Sequence, residues 1–157
     1  MSSPVLTHGA ITDVHSTAKY DIGTRRSDKH GNVYVYLQGI VTTAAGDFVT
    51  YYITSVAAAV TARLVQSAKG LVAIAMAATV ANKFGWYMIA GNLLTASVLT
   101  GCAAGAAIYS TATAARVDDA KGTGDLIVGA VCSVLGAGNK GGVSLNYPSV
   151  NDVTPTA

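Results

Sequence analysis

Apolar and polar positions alternate with a period of two over most of the chain. Val33, Val35 and Leu37 fall on one face, and Tyr34, Tyr36 and Gln38 on the other. This pattern predicts a half-buried strand. Ala44-Ala45-Gly46-Asp47 makes a turn, and Phe48 to Thr54 is the next strand. Ala57 to Gln66 fits two periods. Val56, Val60 and Leu64 would suit a short helix ended by Gly70, but strong hairpins on both sides favour a loop followed by a strand. In Gly70 to Gly91, two apolar runs flank Ala81-Asn82-Lys83, which predicts a hairpin. Val72, Ile74 and Met76 lie on one face of the first run, with Ala73, Ala75 and Ala77 on the other. A face of alanines leaves room for another backbone or sheet to approach. The second run, Phe84 to Ile89, carries the single tryptophan, Trp86, and Gly91 is expected to stop it. Further strands are predicted at Leu93 to Leu99, Ala106 to Thr113, Leu126 to Leu135 and Val143 to Tyr147. A turn at Val117 to Gly124 and a glycine loop at Gly136 to Gly142 separate them.

Short strands at regular spacing predict a mostly β fold: a single antiparallel β-barrel or sandwich, jelly-roll- or tulip-like, over residues 33–157. Residues 1–32 differ from the rest. They hold His8, His15 and His30, the cations Lys19, Arg25, Arg26 and Lys29, and Asp13, Asp21 and Asp28, with few apolar residues and no period. They read either as an extended N-terminal arm that becomes ordered on a partner, or as an ordered edge segment of the barrel.

Composition narrows the functional classes. A chain of 157 residues is one domain with room for a core. Charged residues make up 11%, against roughly 25% in ordinary soluble domains. All eight acids are Asp, which favours turns over helices. Such a charge-poor surface suits a protein packed against neighbours. A net charge of +2 is too small to point to nucleic acid. The longest uncharged apolar run, Leu71 to Ala81, falls short of the ~20 residues a membrane helix needs. The N-terminal residues lack the basic and apolar regions of a signal peptide. Cys102 and Cys132 lie in apolar, strand-like contexts and read as buried free thiols.

No motif carries a clear chemistry. Gly136 to Gly141 matches GxGxxG, but a strand rather than a helix is expected to follow, so it reads as a hairpin loop. Asp118, Asp119 and Asp125 surround a Lys-Gly-Thr-Gly turn. Clustered carboxylates could hold Ca²⁺, yet the spacing is not that of an EF-hand, and turn formation explains them. The three histidines fit no zinc spacing, and no nucleophile elbow is present. Trp86, Tyr87, Tyr34, Tyr36, Tyr51 and Tyr52 could form a sugar-binding platform, but in strands such residues more often fill a core. No catalytic, cofactor or metal site is therefore expected, and the chain does not read as an enzyme. The compact charge cluster around Arg25-Arg26 reads either as a solvated loop or as a source of ion pairs with a protein partner.

The segment GLVAIAMAATVANKFGWYMIAGN resembles the capsid decoration, or head cement, proteins of tailed phages. KYDIGTRRSDKHGNVYVYLQG, AGDFVTYY, AAGAAIYSTATAARVDDA, GDLIVGAV and LNYPSVND extend the resemblance from about Lys19 to Asp152. It implies a structural virion protein, made in the host cytoplasm and bound to the outer capsid surface. Its partners would be the major capsid protein and further copies of itself, a trimer by family analogy. The capsid-contact residues would be Tyr20, Asp21, Arg25, Arg26, Asp28, Lys29 and His30. Deleting residues 2–30 is then expected to weaken capsid binding and spare the fold. The other readings are a glycan-binding module on the virion surface and a tail-tube protein.

Overall fold

A computed structural model describes residues 9–121 and 125–150 of the chain. Among these residues are ten strands and no helix: β1 (Arg25–Ser27), β2 (Val33–Gln38), β3 (Phe48–Ile53), β4 (Ala58–Arg63), β5 (Gly70–Ala75), β6 (Phe84–Ala96), β7 (Ala107–Ser110), β8 (Val117–Asp118), β9 (Leu126–Ala137) and β10 (Lys140–Val150). The mostly β class is as the period-two pattern requires. The pairing is antiparallel apart from a short parallel contact between β2 and β4 and an isolated bridge between Val98 and Val117.

Five strands close on themselves. β2 pairs with β4, β4 with β3, β3 with β5, β5 with β6, and β6 returns to β2. The inward face of this small barrel is one apolar cluster, with Val35 and Leu37, Val49 and Tyr51, Ala58 and Val60, Ala73 and Ala75, and Tyr87 and Ile89. Each strand contributes every second residue, as the pleat dictates. A five-stranded lumen is narrow, so large and small side chains must alternate around it. Ala75 lies directly across from Tyr87 in the ladder, and the alanine leaves the space the ring needs. The room predicted beside the alanine face is thus the barrel lumen.

The opposite faces of β2, β5 and β6 are also buried. Tyr34, Tyr36, Val72, Ile74, Trp86 and Met88 join a second cluster with Val98, Cys102, Ile108, Val117, Ile127, Cys132, Val143 and Val150. This second layer is the sheet β10-β9-β7-β8, which continues from β6.

The two layers share β6. Its first half pairs with β2 and β5, and its second half, from Ala90 to Ala96, pairs with β10. Gly91, expected to end the strand, lies within it and has φ +116°. A side chain there would lie 2.9 Å from the Cα of Asn32. The strand bends where Asn32 presses against it, and Asn32 Oδ1 accepts a hydrogen bond from the Asn92 amide at 3.1 Å. Of the expected Leu93 to Leu99 strand, Leu93 to Ala96 are the end of this element, and Val98 makes only an isolated bridge with Val117.

Two other boundaries differ from expectation. The glycine loop is a two-residue turn: Gly138 and Asn139 both have positive φ (58° and 59°), as a type I′ hairpin turn demands. Gly136 and Ala137 extend β9, Lys140 to Gly142 belong to β10, and no helix follows, so the GxGxxG match carries no dinucleotide geometry. The turn expected from Val117 opens with a short strand, because Val117 and Asp118 pair with Ser110 and Tyr109. The ambiguous Ala57 to Gln66 segment holds strand β4. His8, residues 122–124 of the expected turn, and the tail beyond 150 lie outside the described residues.

One buried acid ties the barrel to the second layer. Asp47 accepts hydrogen bonds from the Ala44 amide at 2.9 Å and the Ser97 hydroxyl at 3.3 Å, and Arg63 approaches it at 3.4 Å. Lys140 reaches the same junction through Ala45 O and Ser97 Oγ, both at 3.1 Å.

Gly91→Ala forces a left-handed conformation on an L-residue and drives a methyl group into backbone. We expect a loss of about 2–4 kcal/mol of stability, measured as a lower urea midpoint. An unchanged midpoint would show that β6 does not depend on this bend.

Candidate functional site

Residues 9–32 lie along the outside of the barrel. Phe84 and His15 exchange backbone hydrogen bonds at 2.9 Å, β1 pairs with β2, and the Gly23 amide donates to Tyr36 O at 2.7 Å. Their side chains cover the aromatic face of β2 and β6. The Tyr20 ring meets Tyr36 edge-on at 5.2 Å and Trp86 at 5.4 Å. The Arg26 guanidinium lies 5.2 Å from the centre of the Trp86 ring, a cation–π contact worth about 0.5–1 kcal/mol where partly exposed. Nδ1 of His15 lies 2.8 Å from the Tyr36 hydroxyl. Trp86 is only 2% exposed. Tyr34, Tyr36, Tyr51 and Tyr87 are also buried, so of the six aromatics considered for a sugar platform only Tyr52 is exposed.

The structure therefore splits the residues singled out from the sequence. Tyr20 and Arg26 pack on Trp86. Arg25 is exposed and lies over the Tyr147 ring at 5.6 Å. Asp28 works within the chain: it accepts from the His30 amide (2.8 Å), the Asn32 amide (3.0 Å), the Asn32 side chain (2.7 Å) and the Tyr34 hydroxyl (3.0 Å). Burial alone would raise its pKa. The hydrogen bonds from Asn32, His30 and Tyr34 outweigh that and hold it at about 2. Burial and the Asp28 carboxylate together push the Tyr34 hydroxyl up to about 12. Asp21, Lys29 and His30 face solvent.

A second surface was not singled out from the sequence. β9 leaves Leu126, Val128, Val131, Val134 and Leu135 open along its length, each 40–58% exposed. β9 has 12 residues, hence a length of ~40 Å. From Leu126 to Val150 the one charged residue is Lys140, at the hairpin end, and its ammonium group is turned onto Ala45 and Ser97. A shallow depression of about 260 Å³ opens here between Gly129, Val131, Ser144 and Asn146. The signal was in the sequence, since an apolar strand without charge has more Val and Leu than one buried face can take. Which residues remain open is decided by packing.

A third grouping arises only in three dimensions. Cys102, Asp118 and Asp119 bring one thiol sulfur and two carboxylate oxygens within 4.8 Å of one another. Asp125, grouped with these acids in the sequence, is not among them; its amide binds Ser110 Oγ instead. Both cysteines are free and buried, as expected. Burial, Cys132 and the two carboxylates push the Cys102 thiol up to about 12, which leaves it a poor nucleophile.

No protein-family model, no curated protein and no solved structure matches this chain. No helix among the described residues is long and apolar enough to cross a membrane.

Two expectations follow. The Asp28 pKa is lower folded than unfolded, so its contribution is complete above about pH 4 and is lost as pH falls toward 2. Asp28→Asn should cost about 1 kcal/mol at neutral pH, allowing for solvent screening, and the gap to wild type should close between pH 4 and 2 in urea titrations. A gap independent of pH there would contradict the assignment. The second concerns the deletion of residues 2–30. Their removal strips Tyr20, Arg26 and β1 from the barrel, so the truncated chain should show red-shifted Trp86 emission and a lower melting temperature.

Proposed function

We propose that this chain is a structural virion protein that decorates the outside of a phage head, binding the major capsid protein as a homotrimer and bridging its subunits. The observation that carries the reading is the long, uncharged, exposed apolar stripe on β9, in an all-β protein with few charges of any kind. Contacts between copies of an obligate oligomer are more apolar than ordinary surface, and a neutral strand face can meet its own copy without charge repulsion. The stripe is the copy-to-copy contact. The N-terminal segment supplies the polar contact with the capsid through its exposed residues Asp21, Arg25, Lys29 and His30. Tyr20, Arg26 and Asp28 hold that segment in place on the barrel. The resemblance of the Gly70 to Asn92 segment to head cement proteins supports the same reading. The mechanism is mechanical. Each contact binds modestly, but linking three in one oligomer raises the effective concentration of the second and third after the first has docked.

Light scattering and cosedimentation with expanded, undecorated capsids test this. Wild type should have the mass of a trimer and bind saturably at a fixed ratio to coat subunits. The double variant Val128→Lys, Leu135→Lys changes only exposed positions. It should keep its circular dichroism spectrum, become a monomer, and lose at least tenfold in capsid affinity. A monomeric wild type, or a variant that still trimerises, would remove the stripe from the argument. Tubes or rings formed by the protein alone would move the assignment to the tail.

A further inference from the structure

The structure assigns a binding site for a zinc-class divalent cation to Cys102, Asp118 and Asp119, at the junction of the loop after β6 with β8 and the loop that follows it. Two features beyond proximity point to a cation. The first is charge: Asp118 and Asp119 are neighbours in sequence, both are partly buried, and their carboxyl groups bond each other, which sets two acids at close quarters. The second is the thiol. Cys102 has no exposed surface, yet its sulfur donates to no oxygen or nitrogen among the described residues, and its hydrogen-bonding neighbour is the Cys132 thiol. The one hydrogen-bonding neighbour of this buried sulfur is another thiol, so no oxygen or nitrogen donor among the described residues competes with an ion for it.

The donor set selects the ion. Ca²⁺ and Mg²⁺ take oxygen ligands only. One thiolate with two carboxylates suits a borderline ion such as Zn²⁺, with water or a further ligand in the fourth position. Sulfur and oxygen ligands on one tetrahedral Zn²⁺ are ~3.6 Å apart, given the usual Zn–S and Zn–O lengths. The present spread of up to 4.8 Å must therefore close by about an ångström, within reach of a side-chain rotation at the two aspartates. The backbone is already fixed around the site. The Ala103 amide donates to Asp119 Oδ2 at 2.8 Å, the Asp119 amide to Asp118 Oδ1 at 2.9 Å, and the Gly136 amide to Cys102 O at 2.9 Å. The two carboxyl groups also hydrogen-bond each other, and an ion bound between them would take the place of the proton they share. An occupied site would tie the β6–β7 loop to β8, which pairs over only two residues and is therefore weakly held.

The test is titration of the full, reduced chain with Co²⁺ as a spectroscopic stand-in, followed by competition with Zn²⁺. Wild type should bind one ion per chain with a sulfur-to-cobalt charge-transfer band, displaced by Zn²⁺, and Zn²⁺ should raise its melting temperature. Cys102→Ser should abolish the band. The double variant Asp118→Asn, Asp119→Asn should weaken binding at least tenfold while keeping the wild-type circular dichroism spectrum, and Cys132→Ser should retain the band. Absence of the band and of any thermal shift in wild type would overturn the proposal. So would binding that survives the double aspartate variant, or that needs both cysteines and neither aspartate.

Discussion

Closure of a five-stranded ring is the constraint on which the rest of this structure depends. A ring so small has little interior, and its inner face must be filled by side chains that interlock. Ala73 and Ala75 meet that demand opposite Tyr87 and Ile89, and Ala58 does so on β4. The ring also has an outer face, and on β2, β5 and β6 that face carries Tyr34, Tyr36, Val72, Ile74, Trp86 and Met88. These residues cannot be left in water, so the second sheet and the N-terminal segment are both recruited to cover them.

The remaining architecture follows from that covering. β6 must serve both layers, and it does so by bending at Gly91, where Asn32 fills the inside of the bend. Asp28 fixes Asn32 and the turn before β2, while Asp47, Ser97, Arg63 and Lys140 fasten the far end of the junction. The few charged and polar groups drawn inward are thus used at places where two layers meet. The open apolar residues of β9 are left over: nothing in the described residues covers them. That surplus of apolar surface gives the proposed assembly function its physical basis.

Much of the fold was legible because its signal is local. Alternation across Val33 to Gln38, across Phe48 to Ile53 and across Gly70 to Ala75 specifies strands wherever the chain runs. The Ala face of β5 announced a close approach. The errors share one cause, which is that tertiary contacts override local punctuation. Gly91 looks like a stop because glycine ends strands that have nothing to turn toward, but here β10 waits on the other side of the bend. Gly136 and Gly142 look like loop residues, yet the ladder between β9 and β10 runs through them and leaves only Gly138 and Asn139 to turn.

The candidate sites divide along the same line. The sequence alone determined that this is a strand-built chain with little charge and a distinct N-terminal segment, because composition and period-two patterning act residue by residue. Only the tertiary structure decided that Asp28 is used inside the chain, that Arg26 lies over Trp86, that β9 keeps apolar residues open, and that Cys102 meets Asp118 and Asp119. Each of these joins residues far apart in the chain or chooses between two faces of a strand. Such choices are set by which layer packs against which, and no local pattern of residues records them.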